Sequence, residues 1–174
     1  MASQRRNAMV SILFVVFGGP GIGLVYLPLW MTRFRVPQDE PAWQMALGTA
    51  LIVVGLVSLL ESVVRFVHVG RGTLVPTTPT ERLVVSGLYC YVRNPMYMGV
   101  LTCVAGETLL FASYSMIIYA AVLWLGFHLF VYFYEEPTAK RRYGEQYAIY
   151  KRNVPRWLPR LTPWKGDVSG NLSA

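Results

Sequence analysis

The residues with the most chemical potential lie in two short segments about forty positions apart. Segment 87–99 reads Gly-Leu-Tyr-Cys-Tyr-Val-Arg-Asn-Pro-Met-Tyr-Met-Gly, and the second segment is Glu135-Glu136-Pro137. Arg93 stands beside a predicted helix start, where free backbone N–H groups and the positive end of the helix dipole favour an anion. The two carboxylates end the following apolar stretch, where the dipole disfavours negative charge, so they require a cation nearby. Together the segments predict a site for a ligand that carries both signs of charge.

Both segments also have a simpler interpretation. Arg93 would then anchor the chain among lipid phosphates, and Tyr97 would belong to an aromatic belt at the membrane surface. The carboxylate pair would be neutralised by Lys140 or Arg141 in the next helical turn. Spacing alone leaves these alternatives open.

The elements that position the two segments are predicted to be membrane helices. The chain has 174 residues, of which 54% are hydrophobic and 14% charged, whereas soluble domains carry about 25% charged residues. Residues 7–32 and 41–60 contain no charge, and 94–134 contains only Glu107. Since one span needs about 20 apolar residues, the sequence predicts an all-α integral membrane protein with about four transmembrane helices and a C-terminal amphipathic segment. The spans are placed at about 9–30, 42–67, 94–111 and 116–134.

The ends of these elements are marked by capping and helix-breaking residues. Asn94 and Pro95 are favoured at the N-cap and the first helical position, so they predict a helix start. Pro137 predicts the end of the fourth helix. We expect a single domain over 1–164, with a connector at 70–93, a segment at 135–164 that closes over the site, and a frayed tail at 165–174. Tyrosines and a valine at helical spacing predict that the closing segment is an amphipathic helix, lying along the membrane or over the bundle: Tyr143, Tyr147, Tyr150 and Val154.

Small residues predict where the helices pack. Gly19 and Gly23 in the first span, and Ala46 and Ala50 in the second, have the four-residue spacing that lets two helices approach closely. We therefore expect the first two helices to pack together. Near the end of the second helix, Glu61 and Arg65 lie four residues apart, and this spacing predicts an ion pair.

The basic residues predict that both termini are cytoplasmic. Of the 16 Lys and Arg residues, 14 fall in the N-terminus, the second loop and the C-terminal tail. The first uncharged stretch exceeds a usual signal-peptide core, so we expect a retained helix rather than a cleaved leader. The net charge of +7 is explained by the basic residues that set the orientation in the membrane and that attract anionic lipid head groups, so no nucleic-acid partner is expected. No metal site and no disulfide are expected: His68 and His128 stand apart, and Cys90 would face a reducing compartment.

Two polar residues in the apolar stretches need separate interpretations. His128 is interpreted as a polar side chain packed inside the bundle. Glu107 lies well inside the third predicted helix, and a carboxylate at such a depth is expensive, which favours a functional role. The alternative, which we prefer, is that Glu107 approaches the opposite interface beside Ser113 and Ser115.

Three motifs resemble, in order, those of the isoprenylcysteine carboxyl methyltransferase and phospholipid N-methyltransferase superfamily. They are segment 87–99, the pair Glu135-Glu136, and the stretches Tyr-Gly-Glu-Gln-Tyr-Ala-Ile-Tyr at 143–150 and Val-Pro-Arg at 154–156. The resemblance implies a multi-span helical enzyme that uses S-adenosylmethionine (SAM), with the site built from the last two spans and the C-terminal segment. The positive sulfonium and zwitterionic tail of SAM suit a site of mixed charge.

The resemblance also implies which residues form the site. The cofactor-binding positions would be Arg93, Asn94, Pro95, Tyr97, Gly99, Glu135, Glu136 and Tyr147, and the candidate catalytic residues would be Glu135, Arg152 and Arg156. The family commonly has His where this chain has Asn94. Asn can bind a ligand but does not titrate near neutrality, so a role as a base is not expected at this position.

The acceptor is expected to be lipid-like or apolar and to reach the site from the membrane, at the cytoplasmic interface. Arg152 or Arg156 would hold a carboxylate acceptor, whereas an amine acceptor would need a base such as Glu135. Carboxylate methylation is therefore slightly favoured. Two other functions stay open: a nicotinamide-dependent membrane reductase of the sterol reductase type, and a non-enzymatic membrane protein whose basic tail binds anionic lipid. The short chain disfavours the reductase, because such enzymes have additional spans. The carboxylate pair disfavours the non-enzymatic lipid-binding protein, because that function leaves the pair unexplained.

Overall fold

The computed structural model describes residues 21–33, 37, 39–70 and 82–168, and every regular element in these ranges is helical. This confirms the all-α prediction. Within the described ranges there are five helices: α1 (Ile22–Met31), α2 (Ala42–Gly70), α3 (Pro95–Phe111), α4 (Tyr114–Tyr143) and α5 (Glu145–Asn153). A short 3-10 turn, Gly87–Cys90, precedes α3.

Two of the described helices, α2 and α4, are long and apolar enough to cross a membrane, with 29 and 30 residues. Many of their large side chains point outward, Val57 and Ile118 among them, as expected where lipid rather than water covers the surface. Helix α3 is apolar but has only 17 residues. Most of the predicted first span, 9–30, lies outside the described residues, as does Gly19. The four-span count and the orientation stay predictions.

Helices α2 and α3 pack along a seam of glycines. A Cβ atom added to Gly55 would lie 2.7 Å from the Gly99 carbonyl oxygen, and one added to Gly106 would lie 2.5 Å from that of Gly48. The backbones meet, so neither helix has room for even an alanine there. The predicted seam through Ala46 and Ala50 is wrong, because both residues are exposed and the glycines of α2 face α3 instead.

The end of α4 also differs from the prediction. Pro137 does not end the helix, which continues to Tyr143. Proline lacks an N–H group, and its ring collides with the carbonyl four residues earlier in a regular α-helix. The widened π-helical turn at Val131–Glu135 places Pro137 near the start of a new helical segment, where both problems disappear. The carboxylate pair therefore lies within a continuous helix.

The C-terminal segment folds back onto the chain that leads into α3. Backbone N–H groups of Arg160 and Trp164 donate to the carbonyls of Tyr91 and Cys90, at 3.0 and 2.9 Å. The apolar face of α5 is buried against the same part of the chain and against the end of α4, and it comprises Tyr147, Tyr150 and Val154. Of the two placements predicted for the amphipathic helix, the structure shows the one in which it packs on the protein. Val154 is extended, so α5 ends just before Pro155.

Candidate functional site

The carboxylate of Glu136 is surrounded by three basic side chains. Arg156 binds it with two nitrogens, Nε to Oε1 at 2.6 Å and Nη2 to Oε2 at 2.9 Å. Arg93 Nη1 donates to Oε1 at 2.7 Å, and Lys151 Nζ donates to Oε2 at 2.8 Å. We call these four residues the Glu136 clasp. It joins the end of α4, the approach to α3, α5 and the segment after α5.

The clasp is shielded from solvent and strongly ionised. Only 8% of the Glu136 side chain and 9% of the Arg93 side chain are exposed. Burial on its own would raise the pKa of the Glu136 carboxyl, but the hydrogen bonds from Arg156 and Lys151 and the charge of Arg93 outweigh it and lower the pKa to about 2. Helix α4 is about 45 Å long by its helical rise, whereas the apolar core of a membrane is about 30 Å thick. The last turns of α4, which carry Glu136, therefore extend beyond that core.

The alternative in which Lys140 or Arg141 neutralises the pair is wrong. Both side chains are exposed, and Arg141 donates to the hydroxyl of Thr138 instead. The partners of Glu136 come from positions 15, 20 and 43 residues away. Both of its oxygens are engaged, so Glu136 holds the C-terminal segment in place and has little capacity left for a ligand.

Glu135 has a different environment from its neighbour. One carboxylate oxygen, Oε1, accepts a hydrogen bond from the Tyr97 hydroxyl, and Oε2 accepts none from the residues that the structure describes. The Tyr97 ring lies 4.5 Å from the Phe127 ring and 6.5 Å from the Trp157 ring, between centroids. Glu135 can therefore accept further hydrogen bonds, and it lies beside a group of packed aromatic rings.

Two hydrogen-bond donors near the carboxylates have no partner. Arg93 Nε and the Tyr89 hydroxyl are buried and make no hydrogen bond with the described residues. Burial raises the pKa of the Tyr89 phenol well above its usual range, so this group stays a neutral donor. Buried polar groups in native proteins are nearly always satisfied, so orphaned donors indicate a ligand or water position. The residues therefore fit the cofactor that the sequence resemblance implies, which carries carboxylate and hydroxyl acceptors.

Asn94 and Gly99 have structural roles that differ from expectation. Asn94 occupies the N-cap position, but its side chain makes no capping hydrogen bond and donates to the Arg156 carbonyl oxygen at 3.1 Å. Pro95 is buried at the start of α3, as predicted. Gly99 lies in the seam, where a Cβ atom would be 2.9 Å from the backbone of Gly55 and Leu59. The need for close packing against α2 explains a glycine at this position without a ligand.

The remaining predicted site residues separate into two groups. Tyr147 is buried, and its hydroxyl accepts a hydrogen bond from Arg93 at 3.2 Å, so it lies against the clasp. Arg156 joins it as described. Arg152 is exposed and contributes no hydrogen bond to the clasp. The structure therefore brings Arg93, Tyr147, Glu136 and Arg156 together, and it leaves Arg152 outside.

Sequence reasoning missed the contacts that several residues make at this site, those of Tyr89 and Phe127 among them. Lys151 completes the clasp, and Tyr132 lies beneath the Arg156 guanidinium, 5.3 Å from ring centroid to Cζ. Trp157 donates its indole N–H to Nδ1 of His128 at 3.0 Å. A signal was present, because positions 124, 128 and 132 are aromatic rings one helical turn apart on one face of α4.

Comparison with known proteins identifies a family and several relatives. The family model of phospholipid methyltransferases matches residues 43–146. The chain is 32% identical over 78 residues to the protein-S-isoprenylcysteine O-methyltransferase of Schizosaccharomyces pombe, which covers 44% of this chain and 33% of that protein. It is 28% identical to protein-S-isoprenylcysteine O-methyltransferase B of Arabidopsis thaliana, covering 67% and 60%, and 29% identical to the Rattus norvegicus enzyme, covering 67% and 42%.

The chain thus spans between a third and 60% of the length of these relatives. No solved structure matches it. The family match covers more than half of the chain and includes α3, segment 87–99, the carboxylate pair and all but the first residue of α2, whereas Lys151, Arg156 and Trp157 lie beyond it. The chain belongs to the phospholipid methyltransferase family.

Proposed function

We propose that this chain is a SAM-dependent membrane methyltransferase that methylates the carboxylate of a lipid-like acceptor. Membership of the phospholipid methyltransferase family supports the reaction class. The relatives named above are O-methyltransferases for isoprenylcysteine, a cysteine with an apolar chain, and this supports an acceptor of similar chemistry.

The observation that carries the proposal is the contrast between the two adjacent carboxylates. Glu136 is fully engaged by the clasp, whereas one oxygen of Glu135 is free of hydrogen bonds with the described part of the chain. Arg93 Nε and the Tyr89 hydroxyl, which also have no partner within that part, supply donors nearby. A zwitterionic ligand needs an acceptor for its ammonium and a donor for its carboxylate, and these three groups provide both.

Each of these groups has a definite task in the proposed reaction. SAM, when bound, supplies an electrophilic methyl group on a positively charged sulfur. Glu135 accepts hydrogen bonds from ammonium or hydroxyl groups, and Arg93 Nε donates to a carboxylate. The rings of Tyr97, Phe127 and Trp157 present faces that attract a cation and exclude water. Because methyl transfer is an in-line displacement, alignment of the two reactants accounts for most of the catalysis.

A carboxylate acceptor suits the residues that are present. Such an acceptor is already ionised near neutral pH, so no base is needed to activate it. Glu136 engages Nε and Nη2 of Arg156, and the third nitrogen, Nη1, is not used by it. Arg156 is 20% exposed, so Nη1 can donate to an acceptor while the clasp stays closed. Of the two arginines predicted to hold the acceptor, we therefore propose Arg156 rather than Arg152.

Calorimetric titration of the purified protein with SAM tests the cofactor assignment. Glu135→Gln should weaken SAM binding about tenfold or more, because one charge-assisted hydrogen bond contributes roughly 1.5–3 kcal/mol. Glu145→Gln is the matched control, because Glu145 is an exposed carboxylate at the start of α5 outside the clasp. Binding of NADPH instead of SAM, or equal SAM affinity in the wild type and Glu135→Gln, would refute the assignment.

Turnover of three acceptor types tests the rest of the proposal. We expect methyl ester formation on lipid carboxylates, less product from lipid amines, and slow turnover of short soluble carboxylates. Two exposed aromatic residues near the end of the span, Tyr132 and Tyr134, provide an apolar approach from the membrane. Equal or faster rates on the soluble analogues would contradict approach of the acceptor through the membrane.

A further inference from the structure

An aromatic stripe runs along one face of α4 towards the site. It consists of Trp124, His128 and Tyr132, each one helical turn from the next. The His128 ring is 5.3 Å from Trp124 and 6.4 Å from Tyr132, between centroids, and it is nearly parallel to Tyr132. Trp124 and Tyr132 are exposed, whereas His128 is half-buried beneath Trp157 of the C-terminal segment. The proposed function assigns no task to this histidine.

The hydrogen bond from Trp157 determines which nitrogen of His128 carries the proton. An indole N–H group can donate but cannot accept, so Nδ1 of His128 must accept the bond at 3.0 Å. A neutral imidazole that accepts at Nδ1 carries its hydrogen on Nε2. Nε2 makes no hydrogen bond with the described residues, and it is not fully buried among them. His128 therefore presents an oriented, unused N–H donor.

This donor lies on the same ring system as the proposed acceptor-binding arginine. The Arg156 guanidinium lies over the Tyr132 ring at 5.3 Å, and the His128 ring stacks parallel to Tyr132. Arg156 and Trp157 are neighbours in sequence, so the segment that places the arginine also orients the histidine. Trp157 in turn lies near both the His128 ring and the ring of Tyr97, whose hydroxyl donates to Glu135. Donor, arginine and free carboxylate thus belong to one connected group.

We propose that His128 Nε2–H is a second donor to the acceptor carboxylate, and that Trp157 acts as a positioning residue by fixing the tautomer and orientation of the imidazole. The proposal rests on the proposed function, since it takes the acceptor to be an apolar carboxylate. The exposed rings of Trp124 and Tyr132 supply the apolar surface along which the hydrocarbon part of the acceptor lies. His128 and Arg156 then hold the two carboxylate oxygens.

Nitrogen-15 NMR of the histidines tests the proposal without any turnover. The chain contains only two histidines, and His68→Gln leaves a spectrum of His128 alone. In the wild type we expect the shift pattern of the Nε2–H tautomer, and in Trp157→Phe a mixture of tautomers. Adding N-acetyl-S-isoprenylcysteine should shift the Nε2 signal, whereas its carboxamide analogue should shift it less. A wild-type Nδ1–H pattern, or equal effects of the two probes, would overturn the proposal.

Kinetics separate this proposal from the proposed function. His128→Phe should raise the KM for the carboxylate probe about tenfold and leave the SAM dissociation constant unchanged, while His128→Gln, which keeps a donor, should recover part of the loss. His68→Gln is the control, because His68 is exposed on α2 and should change neither value. If the wild type binds SAM and methylates the probe but His128→Phe has an unchanged KM, only the role of His128 is refuted. Failure of the wild type to bind SAM would refute the proposed function.

Discussion

Glu136→Gln removes the charge at the centre of the clasp and leaves three cations without a counterion. The carboxylate accepts four charge-assisted hydrogen bonds, from Arg93, Lys151 and twice from Arg156. Gln keeps one acceptor oxygen and turns an NH2 group towards the donors. Lys151 is 49% exposed, so its pair contributes little, whereas Arg93 and Arg156, at 9% and 20% exposure, determine the loss.

Breaking a buried ion pair by removing one partner costs about 3–5 kcal/mol. The partial exposure of Arg156 favours the lower end, so we expect a loss of about 3 kcal/mol in the free energy of unfolding. For a chain of this size that loss corresponds to a decrease in Tm of roughly 6–12 °C. The assay is thermal unfolding in detergent, together with limited trypsin digestion, which should cleave earlier near Lys151 and Arg152 as the C-terminal segment is released.

The matched control for this experiment is Glu145→Gln, an exposed carboxylate in the same segment. Its expected cost is below about 1 kcal/mol, from the helix dipole alone. If Glu136→Gln unfolds within a degree of the wild type and the digestion rate does not change, the clasp does not hold the C-terminal segment, and the reasoning is refuted.

Two further predictions concern stability. Gly55→Ala should destabilise the protein by roughly 1–3 kcal/mol, because the new methyl group would meet Cys103 and the Gly99 carbonyl oxygen. Gly126→Ala, at a position open to the surroundings, is the control, and equal melting temperatures of the two variants would disprove close packing at the seam. Because folding lowers the pKa of Glu136 to about 2, the stability that the clasp contributes should be complete above about pH 4.5 and should decline as the pH falls towards 2. The difference in melting temperature between the wild type and Glu136→Gln should therefore narrow over that pH range. A constant difference would contradict an ionised Glu136 in the clasp.

The sequence was most informative where the determinant is local. Glu61 and Arg65 pair at 2.5 Å because their four-residue spacing on a helix suffices to bring them together. The start of α3 at Pro95 and the end of α5 before Pro155 follow from the backbone restrictions of proline. The apolar stripe of α5 likewise indicated which face would be buried.

The sequence was least informative where the determinant is long-range. Glu136 has three cations in the last turn of its own helix, yet it binds Arg93, which is 43 residues away, and Lys151 and Arg156 of the C-terminal segment. Only the tertiary structure decides between these partners. The continuation of α4 through Pro137 depends on a π-helical turn, for which the sequence has no simple signature. The pairing of His128 with Trp157, which is 29 residues away, is likewise visible only in the folded chain.

The return of the C-terminal segment has a consequence for how the protein is made. The backbone N–H groups of Arg160 and Trp164 donate to the carbonyls of Tyr91 and Cys90, and the side chain of Arg156 binds Glu136. These contacts cannot form until residues 156–164 have left the ribosome, by which time α2, α3 and α4 have already been synthesised. Insertion into the membrane can therefore be complete before the site exists. A chain that is truncated before residue 156 would keep the described apolar helices and lack the site.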